Sequence, residues 1–242
     1  MNTCMSALNR VKGELIEVSL KPHKKYGYWY REDTSDRAMM KDCRDHYRVI
    51  YDSPDLVGAT VLDLGANIGY FSSLCLDYGA KKVVLVEADD GNCSVIEANL
   101  RPDDPKVSIL HAAVVPDSYT DPTITFYTGN SDQSSCSGST LVSRARGNSF
   151  TAQAIRISDL LEKHRPEIIK CDIEGGEFHV FENLVIPDYV KMVALEVHES
   201  SEWMKAEVSK LLAKFDGWEI AYRNENIVFG KLYATDIVFR RV

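Results

Sequence analysis

Residues 61–70 read VLDLGANIGY. Four residues suited to a buried strand, Val61 to Leu64, carry one acid, Asp63, and run at once into Gly65 and Gly69. A chain that leaves a strand through Gly-Ala-Asn-Ile-Gly has to reverse into a helix, since glycine permits the tight turn and removes side chains that would block a ligand. The following residues fit: IGYFSSLCLDYGA spaces its apolar positions at helical intervals and stops at Gly79, a natural C-terminal cap.

This strand, turn and helix unit repeats along the chain. Short apolar runs alternate with helical periods, which predicts strands at about 60–64, 82–87, 107–111, 167–172 and 190–196. Crossover helices lie between them, DGNCSVIEANL among them, and such alternation builds a parallel sheet. Further on, SEWMKAEVSKLLAKF reads as an amphipathic helix, and WEIAYRN and ATDIVFRRV as an antiparallel strand pair at the sheet edge.

Two regions stand outside the repeat. Residues 1–55 hold the aromatic, charged segment KYGYWYREDTSDRAMMKDCRDHYRVIYDSPD and are expected to form a helical lead-in and lid, leaving 56–242 as the main domain. Its aromatics are expected to pack against the sheet. From 117 to 150 a polar run, TGNSDQSSCSGSTLVSRARGNSF, follows the possible strand ITFYT and reads as a mobile binding loop.

A length of 242 residues suits one α/β domain with a modest extension, and 45% hydrophobic with 26% charged residues excludes disorder and fibrous repeats. No apolar run reaches the roughly 20 residues of a membrane span, and the start lacks a secretory pattern, so a cytoplasmic protein without membrane attachment is expected. A net charge of −8 provides no basic surface for long nucleic acid, and a small-molecule substrate fits better. The cysteines, Cys4, Cys43, Cys75, Cys93, Cys136 and Cys171, form no Cys-x-x-Cys pair and are expected as reduced thiols. Oligomeric state is open.

Asp63 and Glu87, the latter ending KKVVLVEAD, lie 24 residues apart, close to the ~20-residue spacing at which an acid receives a ribose diol. Both would end adjacent strands on the rim where open α/β sheets bind ligands. Gly65 and Gly69 fit no Gly-x-Gly-x-x-Gly register, so a pyrophosphate dinucleotide and nicotinamide chemistry are disfavoured. A nucleoside that carries an ammonium group suits Asp63 instead, and S-adenosylmethionine (SAM) is such a ligand.

DLGANIGYFS, VEAD, IIKCDIEGGEFHVFENL and ALEVHE, in this order, resemble the successive motifs of the FkbM family of SAM-dependent methyltransferases, over roughly residues 34–200. TSDRAMMKDCRDHY resembles the lead-in of such proteins, and Asn67 stands where commoner methyltransferase loops have glycine, as is usual in this family. The resemblance implies a Rossmann-like, seven-stranded, mostly parallel α/β sheet with an antiparallel C-terminal hairpin strand and helices on both faces. It implies SAM as cofactor, with Asp63, Gly65, Asn67 and Gly69 near its methionine part, Ala66 and Phe71 completing that loop, and Glu87 on the ribose. Ala88 and Asp89 would border the adenine, with Ala112 and Ala113 near it.

KCDIEGGEF gathers Asp172, Glu174 and Glu177 after the fourth strand, where substrate meets cofactor. These carboxylates call for a positive partner: the SAM sulfonium and amine, a metal, a basic substrate, or Lys170 and loop arginines. Glu177 is expected to cap the next helix. ALEVHES puts Glu196 and His198 on one strand face, and His198 is read either as general base or as a histidine hydrogen-bonded into the rim. Asp172, Glu174 and His198 are the expected catalytic residues, with Asp172 also against the cofactor. No resident metal is expected, although the same three residues are a plausible hard-ligand set. The acceptor, a hydroxyl or amine of a small molecule, would enter under the 130–146 loop, where Arg144 and Arg146 suit an anionic or hydroxyl-rich compound.

Overall fold

In the computed structural model the stretch 61–70 ends one strand, turns, and opens a helix. The structure describes residues 5–11, 14–128, 139–140, 148–199, 201–228 and 231–242. Cys4, Cys136, Arg144 and Arg146 lie outside the described residues, as does most of the 130–146 loop.

The central sheet contains β4 (Thr60–Leu64), β5 (Lys82–Glu87), β6 (Val107–His111), β10 (Ile168–Cys171), β11 (Met192–His198), β12 (Glu219–Val228) and β13 (Lys231–Arg240). Their order is β12-β13-β11-β10-β4-β5-β6. The five inner and far strands are parallel, while β13 runs antiparallel between β11 and β12. Strand order reverses between β4 and β10, which opens a crevice at their carboxyl ends. The five expected parallel strands match these to within two residues, and the two expected hairpin strands to within four.

The two-residue strand period sorts the core. Leu62, Leu64, Ile169, Cys171, Val193 and Leu195 pack beneath α5 (Ile157–His164), α6 (Glu177–Glu182) and α7 (Glu202–Leu212). Val61, Val83, Leu85, Ile168, Met192 and Ala194 pack on the other face, beneath α1 (Asp36–His46), α2 (Arg48–Tyr51), α3 (Tyr70–Asp77) and α4 (Asp90–Asn99). Toward the carboxyl ends that second face turns polar, at Asp63, Lys170, Glu196 and Asp236, so the site follows from the same alternation as the core.

The lead-in differs from expectation. Before α1 it forms an antiparallel sheet of β1 (Ser6–Val11), β2 (Glu14–His23) and β3 (Tyr28–Arg31), tied to α4 by bonds from the Leu8 N–H to Ser94 Oγ (2.7 Å) and from the Trp29 N–H to Asn99 Oδ1 (2.7 Å). Helical periodicity begins only at Asp36, because Gly27 and the Thr34–Ser35 turn interrupt the pattern. Its aromatics do pack: Tyr28 donates to the Ile68 carbonyl at 2.6 Å, and Tyr47 meets Phe71 edge-on. Part of the expected 117–150 loop is also ordered strand, since β7 (Ala113–Val115), β8 (Thr123–Tyr127) and β9 (Ser149–Arg156) form a further sheet in the order β7-β9-β8.

Both glycines of the opening turn have positive φ but face protein. A Cβ on Gly65, at φ +73°, would stand 1.9 Å from the Asp172 carbonyl oxygen, so this glycine lets the β4 and β10 turns touch. A Cβ on Gly69, at φ +78°, would meet only the Ile96 and Leu85 side-chain ends at 3.0 and 3.1 Å. Gly65→Ala is therefore expected to cost about 3 kcal/mol or more, and Gly69→Ala about 1–2 kcal/mol. Thermal melts of both variants check this, and equal losses would contradict it.

Candidate active site

Two cavities open at the carboxyl end of the sheet, a narrow one of about 60 Å³ and a wider one of about 430 Å³. The narrow cleft lies over β4, β5 and β6 and is walled by Gly65, Asn67, Glu87, Ala88, Asp89, Ala112 and Ala113, with Phe126 and Thr128 from the β8 side. Small apolar residues beside the Glu87 carboxylate make a slot for a flat ring and its sugar. Glu87 accepts hydrogen bonds from the Asn67 N–H (2.8 Å) and, on its other oxygen, from the Asp89 N–H (3.0 Å) and Asn92 Nδ2 (3.3 Å). Burial outweighs these bonds and raises its pKa to about 7.

Asp89 is at the cleft wall, but its carboxylate is already engaged. It caps α4 through the Gly91 and Asn92 N–H groups and accepts from Arg10 Nε at 2.7 Å. His111 turns away from the cleft to Glu97, at 3.1 Å.

The wider cavity lies between α1 and the ends of β10, β11 and β13. Met39, Asp42 and His46 line it from α1 and Tyr47 from just after it, Ala66, Tyr70 and Phe71 from the turn and α3, and Glu196, Asn226, Tyr233 and Asp236 from the far strands. Asn67, Asp172 and Glu174 line both cavities. Between the β4 and β10 ends sits Lys170, which donates to the Gly65 carbonyl at 2.8 Å and faces Asp63 at 3.4 Å and Asp172 at 3.6 Å. Burial opposes its charge, but the two carboxylates prevail and raise its pKa. Burial raises Asp63 more than Lys170 and the 2.8 Å bond from Ser72 lower it.

Asp172 and Glu196 form a carboxyl pair. Burial works against ionised Asp172, yet Lys170, His198 and a hydrogen bond from Glu196 hold its pKa below the ordinary value. Burial and the Asp172 charge push Glu196 well up, so it keeps the proton that the pair shares. Asp236, the pairing neighbour of Glu196 on β13, is held by Asn226 at 3.0 Å and His46 at 3.1 Å. The acid within the apolar run TDIVF is the sequence signal for this missed residue.

His198 is fully buried and lines neither cavity. Its Nδ1 faces Glu177 at 3.1 Å and its Nε2 faces Glu174 at 3.2 Å. Burial alone would depress its pKa, but Glu177 and Glu174 outweigh it and hold the ring as imidazolium. Both ring nitrogens face carboxylates and neither lies in a cavity wall, a placement that speaks against the reading of His198 as general base. His198 positions Glu174, whose carboxylate also accepts from the Tyr233 hydroxyl at 3.2 Å. The α6 N-cap, Gly176, has no side-chain cap bond, and Glu177 in the first turn instead accepts from the Gly175 N–H and the His198 N–H.

The structure thus brings Gly65, Asn67, Glu87, Ala88, Asp89, Ala112, Ala113, Asp172 and Glu174 to one cleft. Asp63 does not reach it, because its carboxylate is spent on Lys170 and Ser72. Gly69 packs on Leu85 and Ile96, and Phe71, about 1% exposed, belongs to the aromatic cluster with Tyr47 and Tyr51. Asp172, Glu174 and His198 offer ligand atoms all within 4.8 Å of one another.

Residues 63–223, two-thirds of the chain, match the family described as Methyltransferase FkbM domain. No curated protein sequence matches the chain. Among solved structures, a Pyrococcus horikoshii protein described as an RNA methyltransferase, PH1948, aligns at 18% identity and TM-score 0.47, covering 92% of this chain and 91% of that one. Magnesium protoporphyrin IX methyltransferase of Synechocystis PCC 6803 aligns at 12% identity and TM-score 0.46, covering 86% and 80%. The ribosomal protein L11 methylase of Lactobacillus delbrueckii aligns at 11% and 0.45, covering 88% and 81%. No helix among the described residues is long and apolar enough to cross a membrane.

Removing the buried cation of the Glu174–His198–Glu177 cluster is expected to destabilise the fold by about 3–5 kcal/mol in His198→Ala. Because the folded histidine's pKa is raised above the ordinary 6.5, its contribution is complete below that value and fades as pH climbs through the folded one. Urea unfolding of both proteins at about pH 6 and about pH 9 should show the gap narrowing at the higher pH. A gap that widens with pH would contradict an imidazolium.

Proposed function

Because this chain belongs to the FkbM methyltransferase family, with SAM as its methyl donor, we propose that it methylates a hydroxyl of a small, sugar-like acceptor held in the wider cavity. The observation that carries this reading is the wall of Asn67, Asp172 and Glu174 that the two cavities share. A donor in the narrow cleft and an acceptor in the wider one would meet across that wall.

The residues present fit the donor. Glu87 offers a carboxylate to the ribose diol, Ala88, Ala112 and Ala113 leave room beside the ring, and Phe126 supplies an aromatic wall. The methionine end would lie toward the Asp172–Lys170 rim, where one carboxylate stays ionised. When bound, SAM supplies an electrophilic methyl on a cationic sulfonium, and positive charge is consumed in the transfer.

The protein then has to align the acceptor, exclude water and take up one proton. Asp172 is the base we assign: it is ionised, lines both cavities, and is bonded to a protonated Glu196. Tyr233 and His198 hold Glu174 beside it to orient the acceptor. The cavity walls, with Tyr47, Tyr70, Phe71 and Tyr233 among the acids, suit a hydroxyl-rich compound with apolar ring faces.

A second reading assigns Asp172, Glu174 and His198 to a divalent ion that orients the acceptor oxygens. It requires His198 to give up the proton that Glu174 and Glu177 stabilise. Turnover abolished by chelation and restored by magnesium would favour this reading.

Methyl-labelled SAM with a panel of sugar-like alcohols and matched amines tests the assignment, with product NMR locating the methyl group. An O-methyl ether is expected, and label found solely on nitrogen would overturn the hydroxyl assignment. Asp172→Asn should lower turnover by about 100-fold or more while the protein still binds S-adenosylhomocysteine. Since a ribose diol donates to ionised Glu87, affinity for S-adenosylhomocysteine should rise as pH passes about 7. Glu87→Gln should weaken binding by at least about tenfold and flatten that dependence, as calorimetry across pH would read.

A further inference from the structure

Arg31 ends β3 at the far side of α4, about 2% exposed, and no residue of either cavity wall is adjacent to it in sequence. A guanidinium buried that deeply carries a desolvation cost that its surroundings must offset. Asp36 accepts two of its bonds, from Nε at 3.0 Å and Nη2 at 2.8 Å. Nη2 also donates to the Asn92 carboxamide oxygen at 2.8 Å, and Nη1 approaches the Leu8 carbonyl at 3.5 Å.

The bond to Asn92 fixes an orientation. With its oxygen held on the guanidinium, Asn92 presents Nδ2 to Glu87 Oε1, at 3.3 Å. A flipped amide would set its NH2 against the cation and its oxygen against the carboxylate. We propose that Arg31, through Asn92, is a positioning residue that holds the Glu87 carboxylate in its ligand-accepting state, so the N-terminal sheet is the outer support of the nucleoside cleft. The meaning of this for binding rests on the assignment of that cleft to the donor's nucleoside.

The other groups around Glu87 are accounted for. Asp89 on the same rim adds negative charge and is itself paired with Arg10, which also reaches Asp90 at 3.3 Å. On α4 the Cys93 thiol is neutral, its pKa pushed far up by burial and Glu87, and on β6 His111 faces Glu97 and Asp90. Asp172 and Glu174 stand in the same cleft, Asp172 beside Lys170 and Glu174 beside His198. Of these, Asp89 donates to the same Oε1 through its backbone N–H, at 3.0 Å, and Asn92 supplies the side-chain donor.

The test is the carboxyl titration of Glu87 by carbon-13 NMR in the unliganded protein, alongside calorimetry with S-adenosylhomocysteine. Wild type should titrate near 7. Arg31→Lys keeps a cation for Asp36 but cannot span Asp36 and Asn92 together, and should raise the midpoint by at least about half a unit. Near neutral pH it should weaken S-adenosylhomocysteine binding by about twofold or more, a gap that closes as pH rises. Asn92→Ala leaves the Arg31–Asp36 pair intact and should move the midpoint as far, with Arg31→Lys adding nothing further in that background. An unchanged midpoint in Asn92→Ala, or a shift from Arg31→Lys that persists in the double variant, overturns the proposal. A loss of affinity equal at every pH, with the midpoint fixed, would mark Arg31 as merely structural and overturn it as well. Midpoints that move in a protein that binds no S-adenosylhomocysteine would instead overturn the nucleoside assignment, and with it the link from Arg31 to binding.

Discussion

The Lys170 ammonium is the constraint on which the rim depends. It lies where strand order reverses, between Asp63 at the end of β4 and Asp172 after β10, with the Gly65 carbonyl as its third partner. Without a cation there, buried Asp63 and partly exposed Asp172 would face each other across the switch point, at a cost of several kcal/mol. With it, the turns after β4 and β10 can approach so closely that only glycine fits at position 65. The crevice is thus open for ligand because its floor is closed by an ion triad.

From that floor the site divides by function. Toward β5 and β6 the walls are small and apolar around Glu87, and toward β11 and β13 they are acidic and aromatic. Asp172 stands at the division, ionised on the strength of Lys170 and His198, with Glu196 storing a proton behind it. Positive charge is therefore built into the buried supports, Lys170 and His198, while the charged groups on the cavity walls are mostly carboxylates. That arrangement suits chemistry in which a cationic donor loses its charge and an acceptor loses a proton.

Much of this was legible in the sequence. Alternation of apolar residues placed the five parallel strands, and the spacing of Asp63, Glu87 and Asp172 put acids on one rim, because side-chain periods of two are fixed by backbone geometry. What the spacing could not reveal is which acids are consumed internally. Asp63 and Asp89 read like ligand contacts, but one is bound to Ser72 and the other to the α4 backbone, and each also to a cation distant in sequence, Lys170 and Arg10. His198 misled for the same reason: its two flanking glutamates arrive from the turn after β10 and from α6, and their charges change its protonation. The N-terminal strands were hidden by mixed polarity, since β2 is largely exposed and lacks a buried alternation.

The account's central claim is that the cleft over β4, β5 and β6 receives the nucleoside while the Asp172–Lys170 rim receives the amino-acid end. A crystal structure of the protein with S-adenosylhomocysteine tests it most directly. The account predicts both ribose hydroxyls on Glu87, the sulfur beside the wall of Asn67, Asp172 and Glu174, and the wider cavity left for acceptor. A nucleoside seated instead among Asp42, Glu196 and Asp236, with Glu87 untouched, would contradict it.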